Sequence, residues 1–324
     1  MNSNFHKMSM IVVLVGALLS ACAKNEGPAP ASAETPAAAT GQGPHSSFAT
    51  AEEATEALAA AVRNNDAKAL GELFGPGMSE QLGSGDPVED ARERGRFVSA
   101  YDAGHSLVAG DSKDLVLLVG EDRWPLPIPL VQRDGRWSWD GPAGIQELLL
   151  RRIGADELRT IKVMRGYVDA QADYAATGHD GLPAGLYAQR LNSTPGKQDG
   201  LYWETAADKP PSPAGPFLAA ASSEGYSEKV AAAPYHGYVY RLLTSQGPQA
   251  QGGALDYLVD GRLVKGFALL AYPSNYGSSG IMTFIINQDG ELWQRDLGED
   301  TEKAAPAITQ FNPDSGWTPL APES

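Results

Sequence analysis

A single cysteine, Cys22, stands in 324 residues, and this count constrains the fold more tightly than any other feature of the sequence. No disulfide framework can staple such a chain, and no structural zinc site can be built on several thiolates. Whatever folds must be held by buried apolar surface and hydrogen bonds. With 42% hydrophobic and 20% charged side chains, the sequence supplies enough of both for about two globular domains. Its charge is lopsided, with 40 acidic against 25 basic residues and a formal charge of −15. No basic run offers itself to phosphates, so nucleic acid is excluded as a partner.

The position of that cysteine carries the second constraint. Lys7 precedes an apolar stretch from Met8 to Leu19, which runs into Leu19-Ser20-Ala21-Cys22. The stretch is shorter than the about 20 residues that cross a bilayer, and it ends in small residues suited to a signal peptidase. Residues 1–21 resemble a bacterial lipoprotein signal peptide. The resemblance implies that Cys22 becomes the acylated (palmitate-bearing) first residue of the mature protein and its lipid anchor in the membrane. Ala23 stands where an inner-membrane retention signal would place Asp, so the outer membrane, facing the periplasm, is the expected address. Residues 22–47 are rich in Ala, Pro, Ser and Gly, with no hydrophobic periodicity. They read as a tether spanning roughly 30 Å if flexible.

Residues 48–155 form the first expected module. Thr50 with Glu53 makes a capping box, and Ala54, Leu58, Ala61 and Val62 recur at helical spacing behind it. A second short helix carries Ala69, Leu70, Leu73 and Phe74 and stops at Gly75-Pro76-Gly77. Asp86-Pro87 starts a third helix, which presents Phe97 and Val98 to the core. Its charges, Glu89, Asp90, Arg92, Glu93, Arg94 and Arg96, read as a solvated face. Strands are expected over residues 115–119, 125–131 and 136–139, the last two joined by Arg133-Asp134-Gly135. Helices followed by an antiparallel sheet are an α+β order. It is similar to the nuclear-transport-factor-2-like folds, whose small members open on helices and finish on a Trp-containing hairpin.

Residues 156–324 form the second module. A helix is expected over 157–176, with Leu158, Ile161, Met164, Tyr167, Val168 and Tyr174 as its apolar stripe. Loops follow, and then strands over 237–243, 253–259, 267–272, 281–287 and 291–296, with turns at Gly261-Arg262 and Asp289-Gly290. One long helix leading into an antiparallel meander resembles the globular part of type IV pilins and pseudopilins, through Gly237-Tyr238-Val239-Tyr240-Arg241, Ala271-Tyr272-Pro273 and the strand and turn from Thr283 to Gly290. Pilins begin with an N-terminal membrane helix, and here the helix lies mid-chain, so a fibre subunit is not expected.

Several segments together resemble one family. Ser84-Gly85-Asp86-Pro87-Val88, Trp124-Pro125-Leu126-Pro127-Ile128-Pro129, Tyr187-Ala188-Gln189-Arg190, the run from Ser193 to Trp203, Pro234-Tyr235-His236-Gly237-Tyr238 and Gly280-Ile281-Met282-Thr283-Phe284 are similar to the uncharacterised bacterial envelope family called domain of unknown function 2950. The resemblance runs from about residue 48 to the end and implies an address and a fold, with no catalytic residue.

Catalytic chemistry finds little purchase. No Gly-x-Ser-x-Gly elbow occurs, and Gly277-Ser278-Ser279-Gly280 reads as a loop. His105, His179 and His236 share no metal-ligand spacing, and Gly178-His179-Asp180-Gly181 supplies one Asp where a calcium loop needs several oxygen ligands. Pro195-Gly196-Lys197 lacks the spacing of a phosphate loop. No catalytic set, metal or cofactor is therefore expected. What remains is aromatic: Tyr202, Trp203, Tyr235, His236, Tyr238 and Tyr276 are the candidate binding residues, since flat rings with polar tips suit a sugar face or a protein partner. The expected function is a non-enzymatic envelope binding or assembly factor. The alternative is a periplasmic glycan or peptidoglycan-fragment hydrolase or binder, with carboxylates such as Asp180 and Asp256.

Overall fold

Several helix starts are written in the sequence as side-chain caps. The computed structural model describes residues 46–321 apart from 76, 111–113, 207, 225 and 227–233, so Cys22 and the tether up to residue 45 lie outside the described residues. Thr50 accepts from the Glu53 N–H at 3.1 Å and opens α1 (Ala51–Arg63). Asp66 does the same for α2 (Ala67–Phe74), and α3 (Met78–Leu82) follows. Asp86 caps α4 (Pro87–Ala103) by accepting from Val88 and Glu89 N–H, with Pro87 in the first turn, where its missing donor costs nothing.

The first sheet contains β1 (His105–Ala109), β2 (Leu115–Val119), β3 (Trp124–Pro125), β4 (Leu130–Arg133) and β5 (Arg136–Trp139), antiparallel in the order β1-β2-β4-β5 with β3 beside β2. Asp134 and Gly135 take φ of 51° and 74°, as the two-residue β4–β5 turn requires. The expected strand over 125–131 is interrupted: Pro127 and Pro129 have no N–H for a ladder, and the chain pairs only at its two ends. Trp139 is buried, donates from Nε1 to the Ala54 carbonyl at 3.1 Å and stacks edge-on against Phe74, locking α1 and α2 onto this sheet.

The larger correction concerns the long helix. It is α5 (Gly141–Ala175), 35 residues instead of the expected 20-odd, and it extends about 50 Å at 1.5 Å per residue. Pro142 sits in the first turn, and Gly144 is where the helix meets the backbone of residues 127–128. The expected module boundary at 155/156 therefore falls inside one continuous helix, whose early turns pack on α2 and α3 and whose later turns pack on the second sheet. A Cβ at Gly144 would lie 2.4 Å from Ile128 Cα, whereas one at Gly154 would meet nothing within 4 Å. Gly144→Ala is expected to cost about 1–3 kcal/mol by overpacking, and Gly154→Ala to add about 0.5–1 kcal/mol. Urea unfolding midpoints of the two variants, shifted in opposite directions, would bear this out.

After α6 (Gly215–Ser223), the chain enters β6 (Tyr238–Leu243), β7 (Ser245–Gln246), β8 (Leu255–Asp256), β9 (Leu258–Val259), β10 (Arg262–Leu263), β11 (Ala268–Pro273), β12 (Met282–Asn287) and β13 (Leu292–Asp296). Then α7 (Thr301–Ala304) leads to β14 (Thr318–Leu320). The second sheet is antiparallel in the order β14-β13-β12-β11-β6, and the expected strand over 253–259 is instead two short pieces in separate two-stranded ladders. Met164 of α5 is fully buried with Tyr238, Phe284 and Ile286, so the helix covers one face of this sheet. The architecture is α+β. Among the described residues no helix is long and apolar enough to cross a membrane.

Candidate functional site

The charged face expected on α4 is solvated at Glu93 and Arg96, half-buried at Asp90, Arg92 and Arg94, and buried at Glu89. Glu89, on the third position of the helix, is buried to 2% side-chain exposure and is met by cations from its own helix and from α5. Arg92 bonds it, Arg159 Nη1 donates at 3.0 Å, and Arg96 lies 3.7 Å away. Arg159 Nη1 also reaches Asp156 Oδ1 at 2.9 Å, so one guanidinium nitrogen bridges two carboxylates from two helices. From the loop before β6, His236 Nδ1 lies 3.3 Å from Glu89 Oε2, and its Nε2 lies 3.1 Å from Glu224 Oε2. Beneath them the Asp86 cap works twice, since Oδ2 accepts from Tyr226 Oη at 2.8 Å and from Gly237 N at 3.2 Å.

These neighbours split the acids. Burial pushes Glu89 up, but hydrogen bonds from His236 and Arg92 and the charge of Arg159 outweigh it and hold its carboxyl well below the usual range. Asp156, 1% exposed, is pushed up to about 7 by burial and then by the Glu89 charge, against Arg159 and Arg152. Its second oxygen, Oδ2, is buried and has no hydrogen-bond partner among the described residues. Tyr235 is pushed up to about 12 by burial and the Glu224 carboxylate. A pair of carboxyls with opposite shifts has the form of an acid–base couple, and the two bonding oxygens share one nitrogen. Both side chains are closed off from solvent, however, at 2% and 1% exposure.

The aromatic candidates separate accordingly. Tyr235 and His236 join this network, with rings 4.2 Å apart. Tyr238 is not a surface ring: it is fully buried against Phe284 and donates to the Met282 carbonyl at 3.0 Å, which is possible because Gly280 leaves room for its hydroxyl. Tyr276, half-buried, donates to Asp296 at 3.0 Å far along the sheet. Tyr202 and Trp203 flank the end of α5, where Trp203 meets His179 at 5.4 Å and Tyr174 at 6.4 Å. His105 stacks on Tyr101 at 3.8 Å and bonds its carbonyl, a packing role. Ser278 and Ser279 are tied to the Gly83 carbonyl and to the Asn275 backbone. Among the described residues no cluster of His, Cys, Asp or Glu could hold a metal.

An open cleft does lie beside Trp203. Its volume is about 180 Å³, below the roughly 300–1,000 Å³ of sites that enclose a drug-sized ligand, so it suits a small group or one end of a larger ligand. Tyr174, His179, Tyr187, Gln189, Arg190 and Arg262 are among its walls. His179 stacks on Tyr174 at 4.1 Å and bonds the Tyr174 carbonyl at 2.9 Å, so this wall is rigid. Asp180 accepts from Gln198 N at 2.8 Å, and Asp256, elsewhere, accepts from Leu258 N at 2.9 Å. Of the two carboxylates considered for hydrolysis, Asp256 is thus engaged in a local turn and Asp180 in a bond across 18 residues.

Glu89, Asp156, Arg159, Asp86 and Tyr226 were missed by sequence reasoning. The available signal was Asp156 with Arg159, an ion pair at helical spacing set into the apolar stripe of α5. A family model described as Protein of unknown function (DUF2950) matches residues 45–320. No curated protein and no solved structure matches the chain.

Proposed function

We propose that this chain, which belongs to the DUF2950 family across residues 45–320, is a lipid-anchored cell-envelope protein that works by binding. The leader and Cys22 support the anchor and the outer-membrane, periplasm-facing address; the Ala/Pro tether up to residue 47 lets the folded body reach a partner away from the membrane. The observation that carries the binding reading is the cleft at the end of α5, a concavity with rigid aromatic and polar walls. The partner is an envelope protein or a glycan.

In fold terms, the helix-then-sheet order of residues 48–139 supports a nuclear-transport-factor-2-like module, and α5 over the β6–β13 meander supports a pilin-like one. The hydrolase alternative draws on the shifted pair Glu89 and Asp156, and their burial weighs against it, because a glycosidase pair must flank a bound bond and admit water.

Two measurements test the reading. Cys22→Ser is expected to abolish metabolic labelling with palmitate and release the protein from the membrane fraction; retained label would remove the anchor. A photo-crosslinking residue at exposed Gln189, on the cleft wall, is expected to give a discrete adduct in living cells that is missing when the probe sits at exposed Lys68 on α2. Identical patterns, or none at either position, would end the binding reading.

A further inference from the structure

Taking the cleft as the ligand site, we propose that it binds a carboxylated saccharide whose acid group pairs with Arg262. Several charges in the cleft are already engaged by neighbours. Asp199 accepts from Thr194 N at 2.7 Å and Thr194 Oγ1 at 2.8 Å, bonds that hold its carboxyl below the usual range, and Arg190 stands 3.8 Å from its second oxygen. Arg190 itself donates to Thr194 Oγ1 at 3.1 Å. Asp180 holds the backbone at Gln198. These groups staple the loop of residues 190–199 together; Asp199 is engaged there through both oxygens, and Arg190 is tethered to it by one N–H.

Arg262 is different. It is exposed, it lines the cleft, and among the described residues nothing hydrogen-bonds or ion-pairs with it. Its backbone is nonetheless fixed. The β9–β10 turn beneath it uses Asp260 and Gly261 at φ of 49° and 75°, the Gly261 carbonyl accepts from Gln189 Nε2 at 2.6 Å, and Tyr187 N donates to the Leu263 carbonyl at 2.9 Å. An uncommitted guanidinium on a braced turn is a preorganised fork for a planar anion, because little backbone freedom remains to be lost on binding. In a chain of net charge −15, it is also a local attractor that the surrounding field does not otherwise provide.

The rest of the wall selects the body of the ligand. Leu182, Pro183 and Tyr187 give the lining an apolar part, and Gln189 and Gln198 add carboxamides to it. A pyranose ring presents an apolar C–H face and a rim of hydroxyls, which matches a lining that combines aromatic and aliphatic surface with amides. A phosphate alone would leave the apolar side unused.

The test uses the full-length acylated protein in detergent micelles, titrated calorimetrically with N-acetylmuramic acid, with its methyl ester and with N-acetylglucosamine. The expected result is that the acid binds about tenfold tighter than its ester, as a charge-assisted bond adds to a neutral one. In Arg262→Gln that ratio falls to about one, while Lys68→Gln, a distant exposed cation, leaves it unchanged; urea midpoints check that both variants fold. Equal affinity for acid and ester in the parent protein would overturn the assignment of Arg262. Binding of inorganic phosphate or of a triglycine carboxylate with no binding of any sugar would overturn the saccharide class. Either failure leaves the binding reading standing as long as the Gln189 crosslink forms, and loss of that crosslink tells against the reading itself.

Discussion

Glu89→Gln is expected to lower the unfolding free energy by about 3 kcal/mol, the lower edge of the cost of breaking a buried ion pair. The amide keeps the shape of the carboxyl and removes the charge against which Arg92, Arg96, Arg159 and His236 are arranged. It also turns an N–H toward guanidiniums that themselves only donate. The cost stays at the lower edge because Arg92 and Arg159 are 24% and 28% exposed, so water takes up part of what they lose. Urea unfolding at neutral pH measures it, with exposed Glu56→Gln on α1 as the control. A double-mutant cycle with Arg159→Gln should return a coupling of about 1 kcal/mol or more, because the two groups touch across helices. A loss below about 0.5 kcal/mol for Glu89→Gln would mean that the network is no more than an exposed ion cluster.

The same residue explains where sequence reading stops. Caps and turns were legible because their chemistry is local: Thr50, Asp66 and Asp86 each satisfy a backbone N–H within three residues, and Asp134-Gly135 sets its own backbone angles. The strands of the second sheet were legible to within a residue from Tyr238 to Asp296 wherever an apolar run was long enough to cross it. What failed needed partners far along the chain. Glu89 sits among charges that look solvated until His236, 147 residues away, and Arg159, 70 residues away, close over it. The early turns of α5 lie before the expected start at residue 157, and what places them, the approach of the Ile128 backbone to Gly144, is tertiary. Tyr238 looked like a surface ring for want of Gly280 beside it. The cleft follows the same rule, since Tyr187, Gln198 and Arg262 are distant in sequence and meet only because the β9–β10 turn docks on Gln189 and Tyr187.

Stability is expected to fall as pH rises from about 4 toward 7, and Asp156→Asn is expected to abolish most of that fall. In the folded chain the Asp156 carboxyl is pushed up to about 7 by burial between α4 and α5, with Glu89 and Glu93 facing it from α4 and Arg152 and Arg159 from its own helix. In the unfolded chain it titrates near its ordinary 3.8. Between those values the folded state holds a proton that the unfolded state has released, so each added pH unit favours unfolding by up to about 1.4 kcal/mol. Glu89 acts in the opposite sense. Its folded carboxyl titrates below the ordinary 4.5, so its contribution is present above that value and is lost as pH falls through the acid range. The two together put the stability maximum on the acid side of neutrality. An amide at position 156 stays neutral throughout, keeps an oxygen for Arg159 and removes the uncompensated charge at Oδ2, the atom that lacks a partner. The variant's advantage over the parent should therefore be about 3 kcal/mol larger at pH 8 than at pH 4.5, where the parent's folded carboxyl is still protonated. Urea midpoints across that range for both proteins decide it: curves that run parallel would show that Asp156 ionises without strain in the folded chain.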